Sequence, residues 1–272
     1  MKSLLTSLIL SFVVINACQA AELIAGPMVG HATPYSAKIW IETDAPATVQ
    51  IKYFSNTSNY YERPWKFTPM KRGSAQAETT KEFPYVAVVE LTDLHPHSEV
   101  HYDVLVDGRT IGALNPQVFY PLPIETENVK DGTEFMVAFS SCMYPSWVPH
   151  QPIWHKALQF RPAAFLYIGD SNYMPQKKSE YKTDLETIRY SMAAYHREVR
   201  QLPGVRALMA TTPSYGIWDD HDFGPNNSDR TFEWRHQSLE MYNHYWPNVE
   251  PHDQGVYHSF KIADAEFFML DN

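Results

Sequence analysis

The hydrophobic pattern of this 272-residue chain changes once, near residue 130, and that change constrains the fold more than any other feature. Before it, apolar and polar residues alternate in short runs, for example at 37–41, 49–53 and 100–106. Alternation with a period of two is typical of strands that bury one face. We therefore predict a small antiparallel β-sandwich over residues 22–121, with a hairpin turn at Asp107-Gly108.

One segment of this first half has a recognisable pattern. The segment 91–96, which leads to Tyr102, resembles the tyrosine corner of fibronectin type III domains. His95, His97 and His101 lie close together in sequence and have the composition of a metal cluster, but two of them flank a turn proline. We interpret them as solvated loop histidines, so the predicted fibronectin III-like sandwich carries no catalytic group.

From residue 132 onwards, short continuous apolar runs are separated by helical segments. We interpret Pro121-Leu122-Pro123 and the polar stretch at 125–132, which precede them, as a linker. Such runs are typical of strands buried on both faces. Apolar residues recur at helical spacing from Leu185 to Val199, with Thr183 and Glu186 as a predicted capping box. The alternation predicts a mainly parallel sheet, covered on both sides, over residues 132–272.

Each of four apolar runs ends in groups that can bind a metal ion or form hydrogen bonds. The carboxyl ends of parallel strands lie along one edge of a sheet, where ligands bind. A single Asp after a strand is often only a helix cap, but four coincident cases favour a shared site. The four segments are Ser140-Ser141-Cys142, Gly169-Asp170, Asp219-Asp220-His221-Asp222 and Asp271-Asn272.

Two of these segments have the side chains of a metal site at short spacing. Asp170 and Tyr173 lie three residues apart, and a phenol becomes a good ligand only beside a strong Lewis acid such as a trivalent metal. The segment 218–227 contains three acids, one imidazole and two amides. A self-capping turn is the alternative interpretation, but the repulsion between three acids favours a bound cation.

The amino terminus predicts export. Residues 1–20 combine Lys2 with an apolar stretch and with small residues at Cys18 and Ala20, which is typical of a cleaved signal peptide. The stretch is too short to span a membrane, and a lipoprotein acylated at Cys18 is the alternative. Cleavage leaves Cys142 as the one cysteine, either as a small buried hydrophobe or as a thiolate held by a metal.

The net charge of −9 and the absence of any Lys or Arg run disfavour binding to nucleic acid phosphates. We therefore predict no nucleic-acid-binding surface, and no stable membrane span after cleavage of the signal. The expected protein is periplasmic or secreted, and a monomer.

Several motifs, in consistent order, resemble those of the alkaline phosphatase D family of calcineurin-like metallophosphatases. They lie at 26–31, 36–40, 141–142, 169–173, 218–226 and 268–272, and the motif that begins at Trp218 is the most specific. The resemblance covers essentially all of the mature chain, and it implies a fibronectin-like domain followed by an α/β phosphoesterase domain. The family continues with an arginine and a Gly-Asp-x-His-His segment, so the resemblance implies a domain at 132–272 that is incomplete at its carboxyl end.

The resemblance also implies a set of metal ligands. By position, Cys142 and Tyr173 would ligate a ferric ion, Asp170 would bridge to a second metal, and Asp220 would bind that second metal. Family members use iron with calcium, and other divalent metals are alternatives. These ions suit hard oxygen ligands beside one thiolate and one phenolate.

By the same resemblance, His221 stands beside the leaving group and Asn226 belongs to the shell of the substrate or of the second metal. Asp219 completes the predicted catalytic set. The implied activity is hydrolysis of phosphate mono- or diesters by a hydroxide activated between two metals. A phospholipase D-like phosphodiesterase and an inactive periplasmic binding module are the alternatives, and we expect the truncated chain to be weakly active at most.

Overall fold

A computed structural model of the chain describes residues 20–56, 71–96, 98–111, 117–123, 134–175, 181, 183–249 and 254–271. The predicted signal peptide except residue 20, the polar part of the predicted linker at 125–132, His97 and Asn272 therefore lie outside the described residues. In the part of the chain that the structure describes, no helix is both long and apolar enough to cross a membrane.

Antiparallel strands make up the described part of residues 20–123. They are β1 (Leu23–Ala32), β2 (Ala37–Thr43), β3 (Thr48–Asn56), β4 (Lys71–Glu78), β5 (Tyr85–Leu91), β6 (Glu99–Val106), β7 (Arg109–Thr110) and β8 (Gln117–Phe119). One sheet has the order β1-β2-β5, and the other has the order β4-β3-β6-β7, with β8 also paired to β6. Both sheets contribute to one apolar core, which includes Ile39 from β2 and Val49 from β3. The alternating runs at 37–41, 49–53 and 100–106 correspond to β2, β3 and β6, so these three strands are confirmed.

The predicted hairpin turn at Asp107-Gly108 is confirmed, since it joins β6 to the antiparallel β7. Both turn residues have positive φ, at 49° and 76°. Two-residue turns of this kind match the right-handed twist of the strands, and Asp and Gly tolerate the left-handed backbone. Asp107 also accepts hydrogen bonds from the backbone of Thr48 and Ala21, which ties the turn to the start of the sheet.

The interpretation of Tyr102 as a tyrosine corner is wrong. Its hydroxyl donates to the carbonyl of Ala210, at 2.7 Å, rather than to the backbone a few residues upstream. Ala210 follows a helix, whose last carbonyl groups have no partner within the helix, so the buried phenol satisfies one of them. His101 is not a loop histidine either, because it lies in β6 and stacks on Phe54, whereas His95 is exposed in the turn as predicted.

The described residues from 134 onwards alternate between strands and helices. They form β9 (Val137–Ser140), α1 (Ile153–Gln159), β10 (Ala164–Ile168), α2 (Leu185–Gln201), α3 (Pro203–Met209), β11 (Ser214–Ile217), α4 (Asp220–Phe223), α5 (Arg235–Tyr245), β12 (His258–Ile262) and β13 (Ala265–Met269). The order β11-β10-β9 gives a parallel sheet, as predicted for the first three apolar runs. Phe165 and Tyr167 on one face pack with the helices, whereas Ala164 and Leu166 on the other pack with the core shared by the sandwich.

The prediction that the fourth apolar run joins this parallel sheet is wrong. β13 pairs antiparallel with β12 in a separate two-stranded sheet, with Ala263 and Asp264 between them. A two-residue connection can only produce a hairpin, because a parallel crossover needs a dozen or more residues. The first run is also less buried than its composition suggests: Phe139 is 69% exposed, since β9 lies at the edge of its sheet.

Helix α2 has the predicted apolar face but not the predicted cap. Its buried face includes Ile188, Met192 and Val199. The N-cap is Asp184, whose carboxylate accepts hydrogen bonds from the backbone and the hydroxyl of Thr187. The predicted capping box of Thr183 and Glu186 is therefore wrong. The Asp184 carboxylate, one residue after Thr183, accepts the hydrogen bonds that cap the helix.

Buried polar contacts dock the sandwich onto the second half of the chain. Glu42 of β2 is fully buried and pairs with Arg197 of α2, at 2.7 Å, and it also accepts a hydrogen bond from the Tyr245 hydroxyl of α5. The Trp40 indole donates to the carbonyl of His244, at 2.6 Å. The Arg200 guanidinium, which is also buried, lies 5.2 Å from the Trp40 ring centroid. These contacts fix the sheet of β1, β2 and β5 against α2 and α5.

We expect the free energy of unfolding to decrease as the pH falls below about 6.5, partly because of His31 at this interface. Burial first, then the nearby charges of Lys38 and His258, lower the pKa of His31 from 6.5 to about 4. Between those values the unfolded chain binds a proton that the folded protein does not, which reduces the stability as the pH falls. For His31 alone, the expected loss between about pH 6.5 and 4.5 is about 2 kcal/mol.

Urea unfolding at pH 7 and pH 4.5 measures this loss, and His31→Gln removes the titrating group while keeping a polar side chain near Tyr215. The variant should lose less stability than the wild type over the same interval. An equal loss in both proteins would contradict the assignment to His31.

Candidate metal centre

Three loops meet at the carboxyl-terminal edge of the parallel sheet. Cys142 follows β9, Asp170 follows β10, and Asp220 and His221 form the start of α4 after β11. Backbone hydrogen bonds join the loops, since the N–H of Cys142 donates to the carbonyl of Gly169 and that of Met143 to the carbonyl of Asp170. The sheet thus brings residues that are about 80 positions apart in sequence to one place.

Asp170 lies at the centre of the group. Its Oδ2 atom is 3.7 Å from the Cys142 Sγ and 3.3 Å from the Tyr173 hydroxyl. The ligand atoms of Asp170, Asp220 and His221 lie within 4.8 Å of one another. The structure therefore brings together the four residues predicted as metal ligands and one predicted catalytic residue, while the role of each remains a prediction.

The backbone at this edge adopts left-handed conformations that side chains rarely take. Cys142 and Asp170 have φ values of 57° and 52°, and Gly169 has 98°. A Cβ at Gly169 would lie 2.7 Å from the Cβ of Asp219, so only glycine lets β10 exit this close to α4. Unfavourable φ values of this kind concentrate at functional sites, where the surrounding structure holds them in place.

The electrostatics at Asp170 suit a bound cation. Its Oδ1 atom is buried and has no hydrogen-bond partner within the described part of the protein. Burial, with Asp219 and Asp220 nearby, raises the pKa of Asp170, while the neighbouring His221 lowers it. A metal ion would provide the missing partner and neutralise the repulsion between the acids, so the residues present fit such a group.

Cys142 is exposed, so its interpretation as a small buried hydrophobe is wrong. The edge position of β9 and the left-handed turn present the thiol to the Asp170 carboxylate instead of the core. Desolvation first, then Asp170 and Cys142, raise the pKa of Tyr173 well above its ordinary value. The phenol therefore stays protonated unless a strong Lewis acid replaces its proton.

The structure gives Asp219 a local role. It is the N-cap of α4, and its carboxylate accepts from the backbone of Asp220, at 2.9 Å. Asn226 lies in the exposed turn after α4, and the N–H of its neighbour Asn227 donates to the Asp220 carboxylate.

Asp271, from the fourth strand end, accepts hydrogen bonds from the Trp218 indole and the Val256 backbone, and so holds β13 in place.

Sequence reasoning missed a buried clamp beneath this centre. The Asp222 carboxylate is fully buried and accepts from the backbone and the amide of Asn172, both at 3.0 Å, and from the backbone of Asp219. The Asn172 amide also lies 3.1 Å from the Nδ1 atom of the buried His196. Burial raises the pKa of Asp222 to about 7. The clamp joins the loop that carries Asp170 to the helix that carries Asp220, and the run of three acids was its only signal in the sequence.

Comparison with known proteins shows a similarity of fold to one solved structure and a sequence match to one domain family. A family described as a domain of unknown function (DUF7800) matches residues 20–124. No curated protein matches the sequence. The solved structure of PhoD superimposes with a TM-score of 0.65 at 17% identity, over 90% of this chain and 51% of that chain. The protein therefore has a PhoD-like fold, and the chain spans about half the length of that structure.

Two other solved structures are similar to part of the chain. The sensor domain of the anti-sigma factor RsgI4 of Pseudobacteroides cellulosolvens has a TM-score of 0.26 at 20% identity, over 40% of this chain and 97% of its own. The third fibronectin III domain of the human KIAA0343 protein has a TM-score of 0.25 at 14% identity, over 38% and 85%. At these scores neither similarity supports an argument about fold.

Proposed function

We propose that this chain carries the metal centre of an exported, metal-dependent phosphoesterase that hydrolyses phosphate mono- or diesters. In this proposal a fibronectin III-like β-sandwich precedes a calcineurin-like metallophosphatase region, and the protein works as a periplasmic or secreted monomer. The observation that carries it is the convergence of a thiol, a phenol, two carboxylates and an imidazole at the carboxyl edge of the parallel sheet in a PhoD-like fold.

The metal ligands in this proposal are the four side chains around Asp170. Cys142 and Tyr173 would hold iron, Asp220 would hold calcium or another divalent ion, and Asp170 would be shared between the two. The Oδ1 atom of Asp170, buried and without a described partner, supports this sharing. When bound, such cations supply Lewis-acid charge that polarises a phosphoryl group.

The remaining residues position and protonate the substrate. The His221 ring lies 4.4 Å from the Tyr173 ring, which places its imidazole at the same edge as the ligands. From there it donates a proton to the leaving oxygen of the ester. Asp219 caps α4 and, with the Asp222 clamp, holds Asp220 and His221 toward Asp170. Asn226 offers an amide to a phosphate oxygen.

The test is to measure the metal content of the purified protein by mass spectrometry. Hydrolysis of p-nitrophenyl phosphate and bis-p-nitrophenyl phosphate is then assayed with iron and calcium supplied. We expect bound iron and, as for a truncated chain, weak turnover that depends on that iron. A protein that binds no metal and hydrolyses neither ester would contradict the proposal.

Tyr173→Phe tests the ferric ligand separately. If the phenol ligates ferric iron, the wild type should show a visible charge-transfer band that the variant loses while its fold persists. Tyr35→Phe, at a tyrosine that is 57% exposed and far away in sequence, is the matched control and should keep the band. A colourless, iron-free and fully active protein would refute the role of Tyr173.

A further inference from the structure

A row of aromatic rings leads from the candidate metal centre to the protein surface. The Tyr173 ring, already in contact with His221, lies 4.0 Å from the Tyr144 ring at an interplanar angle of 82°. The Tyr144 ring in turn lies 5.0 Å from the Trp147 ring. Trp147 is 79% exposed, more than any other large hydrophobic side chain in the described part of the chain. The row therefore ends in an indole ring that is mostly exposed to solvent.

The loop that presents Trp147 is tied down by hydrogen bonds. The Gln151 amide donates to the carbonyls of Met143 and Val148, each at 2.7 Å. The buried Trp154 indole donates to the side-chain Oε1 atom of Gln151, which anchors the loop to α1. At the tip, the Ser146 hydroxyl donates to Glu198 of α2. An exposed ring held in this way loses little conformational entropy when a ligand stacks on it.

The backbone at the centre of the row is also unusual. Tyr144 has a φ of 35°, which bulky residues rarely adopt. This conformation places the Tyr144 ring edge-on between Tyr173 and Trp147. The N–H groups of Trp147 and Val148 both donate hydrogen bonds to the Tyr144 carbonyl. Such a conformation at a surface loop, next to a candidate centre, points to function.

We propose that Trp147, supported by Tyr144, is a ring-stacking subsite that binds a planar aromatic or heteroaromatic ring carried by the phosphate ester. The proposal rests on the proposed function, since it places the phosphoryl group at the Asp170 centre. Two ring contacts separate Trp147 from Tyr173, whose hydroxyl is 3.3 Å from Asp170. An ester bound at the centre can therefore extend its ring along the row, where the indole face offers a stacking partner for any flat ring.

The test compares adenosine 5′-monophosphate with ribose 5-phosphate, which has the same sugar phosphate but no ring system at the base position. Calorimetry on the metal-loaded full chain should show about tenfold tighter binding of the nucleotide. Trp147→Ala should reduce this ratio to less than about twofold, without changing the affinity for ribose 5-phosphate, and Trp147→Phe should retain most of it. Tyr35→Ala, which removes another exposed aromatic ring, should leave the ratio unchanged.

The two ligands separate the subsite from the proposed function. If ribose 5-phosphate does not bind, the phosphoryl site of the proposed function is contradicted. In that case adenosine replaces the nucleotide, and binding that Trp147→Ala abolishes still supports the subsite. Equal affinity for the ligands with and without the base in the wild type, or an advantage that survives in Trp147→Ala, would overturn the subsite.

Discussion

Asp170→Asn should abolish metal binding and lower phosphoesterase activity by about three orders of magnitude, because Lewis-acid stabilisation by a bound metal contributes several kcal/mol. The same variant should raise the stability of the metal-free protein by about 1 kcal/mol, as often happens when a strained site is relieved. The gain is expected because burial and the neighbouring acids raise the pKa of Asp170, so its ionised form is disfavoured in the folded protein.

Asn is a close replacement at this position. It has nearly the same shape as Asp, and it tolerates the left-handed backbone, where φ is 52°. Metal content, turnover and urea unfolding of the metal-free protein measure the three effects. Asp264→Asn, at an exposed turn residue between β12 and β13, is the charge-matched control and should change none of them. If the Asp170→Asn variant keeps its full metal content, Asp170 is not a metal ligand.

Arg197→Met should lower the free energy of unfolding by about 3–5 kcal/mol, which is the usual cost of leaving a buried charge without its partner. Glu42 is fully buried, and Arg197 is its counter-ion at 2.7 Å. The Tyr245 hydroxyl would remain as a hydrogen-bond donor, but it carries no charge. Adding Glu42→Gln should recover much of the loss, because the double variant no longer contains a buried charge without a counter-ion.

Chemical denaturation of the two single variants and the double variant provides the measurement. The exposed pair of Lys71 and Asp93, at 3.4 Å, offers a matched control. Lys71→Met should cost less than about 1 kcal/mol, because water and salt screen exposed ion pairs. If Arg197→Met costs no more than Lys71→Met, the Glu42 pair does not hold the sandwich against the helices.

The parts of the fold that depend on local pattern could be predicted from the sequence. Alternation identified β2, β3 and β6 of the first half, and continuous apolar runs identified β9, β10 and β11. The convergence of Cys142, Asp170 and Asp220 followed from these strands, because the carboxyl ends of parallel strands share one edge. The turn at Asp107-Gly108 was equally predictable, since its two residue types suit a left-handed backbone.

The hydrogen-bond partners of individual side chains could not be predicted. Periodicity shows which face of a strand is buried, but it does not show which residues cover that face. Tyr102 has the same pattern whether its hydroxyl returns to its own turn or reaches Ala210, more than 100 residues away. Asp222 looks like a metal ligand until its burial shows that its oxygens bind Asn172 and Asp219. Such partners depend on how the sandwich, the helices and the strand ends dock, and docking is set by shape and burial across the whole chain.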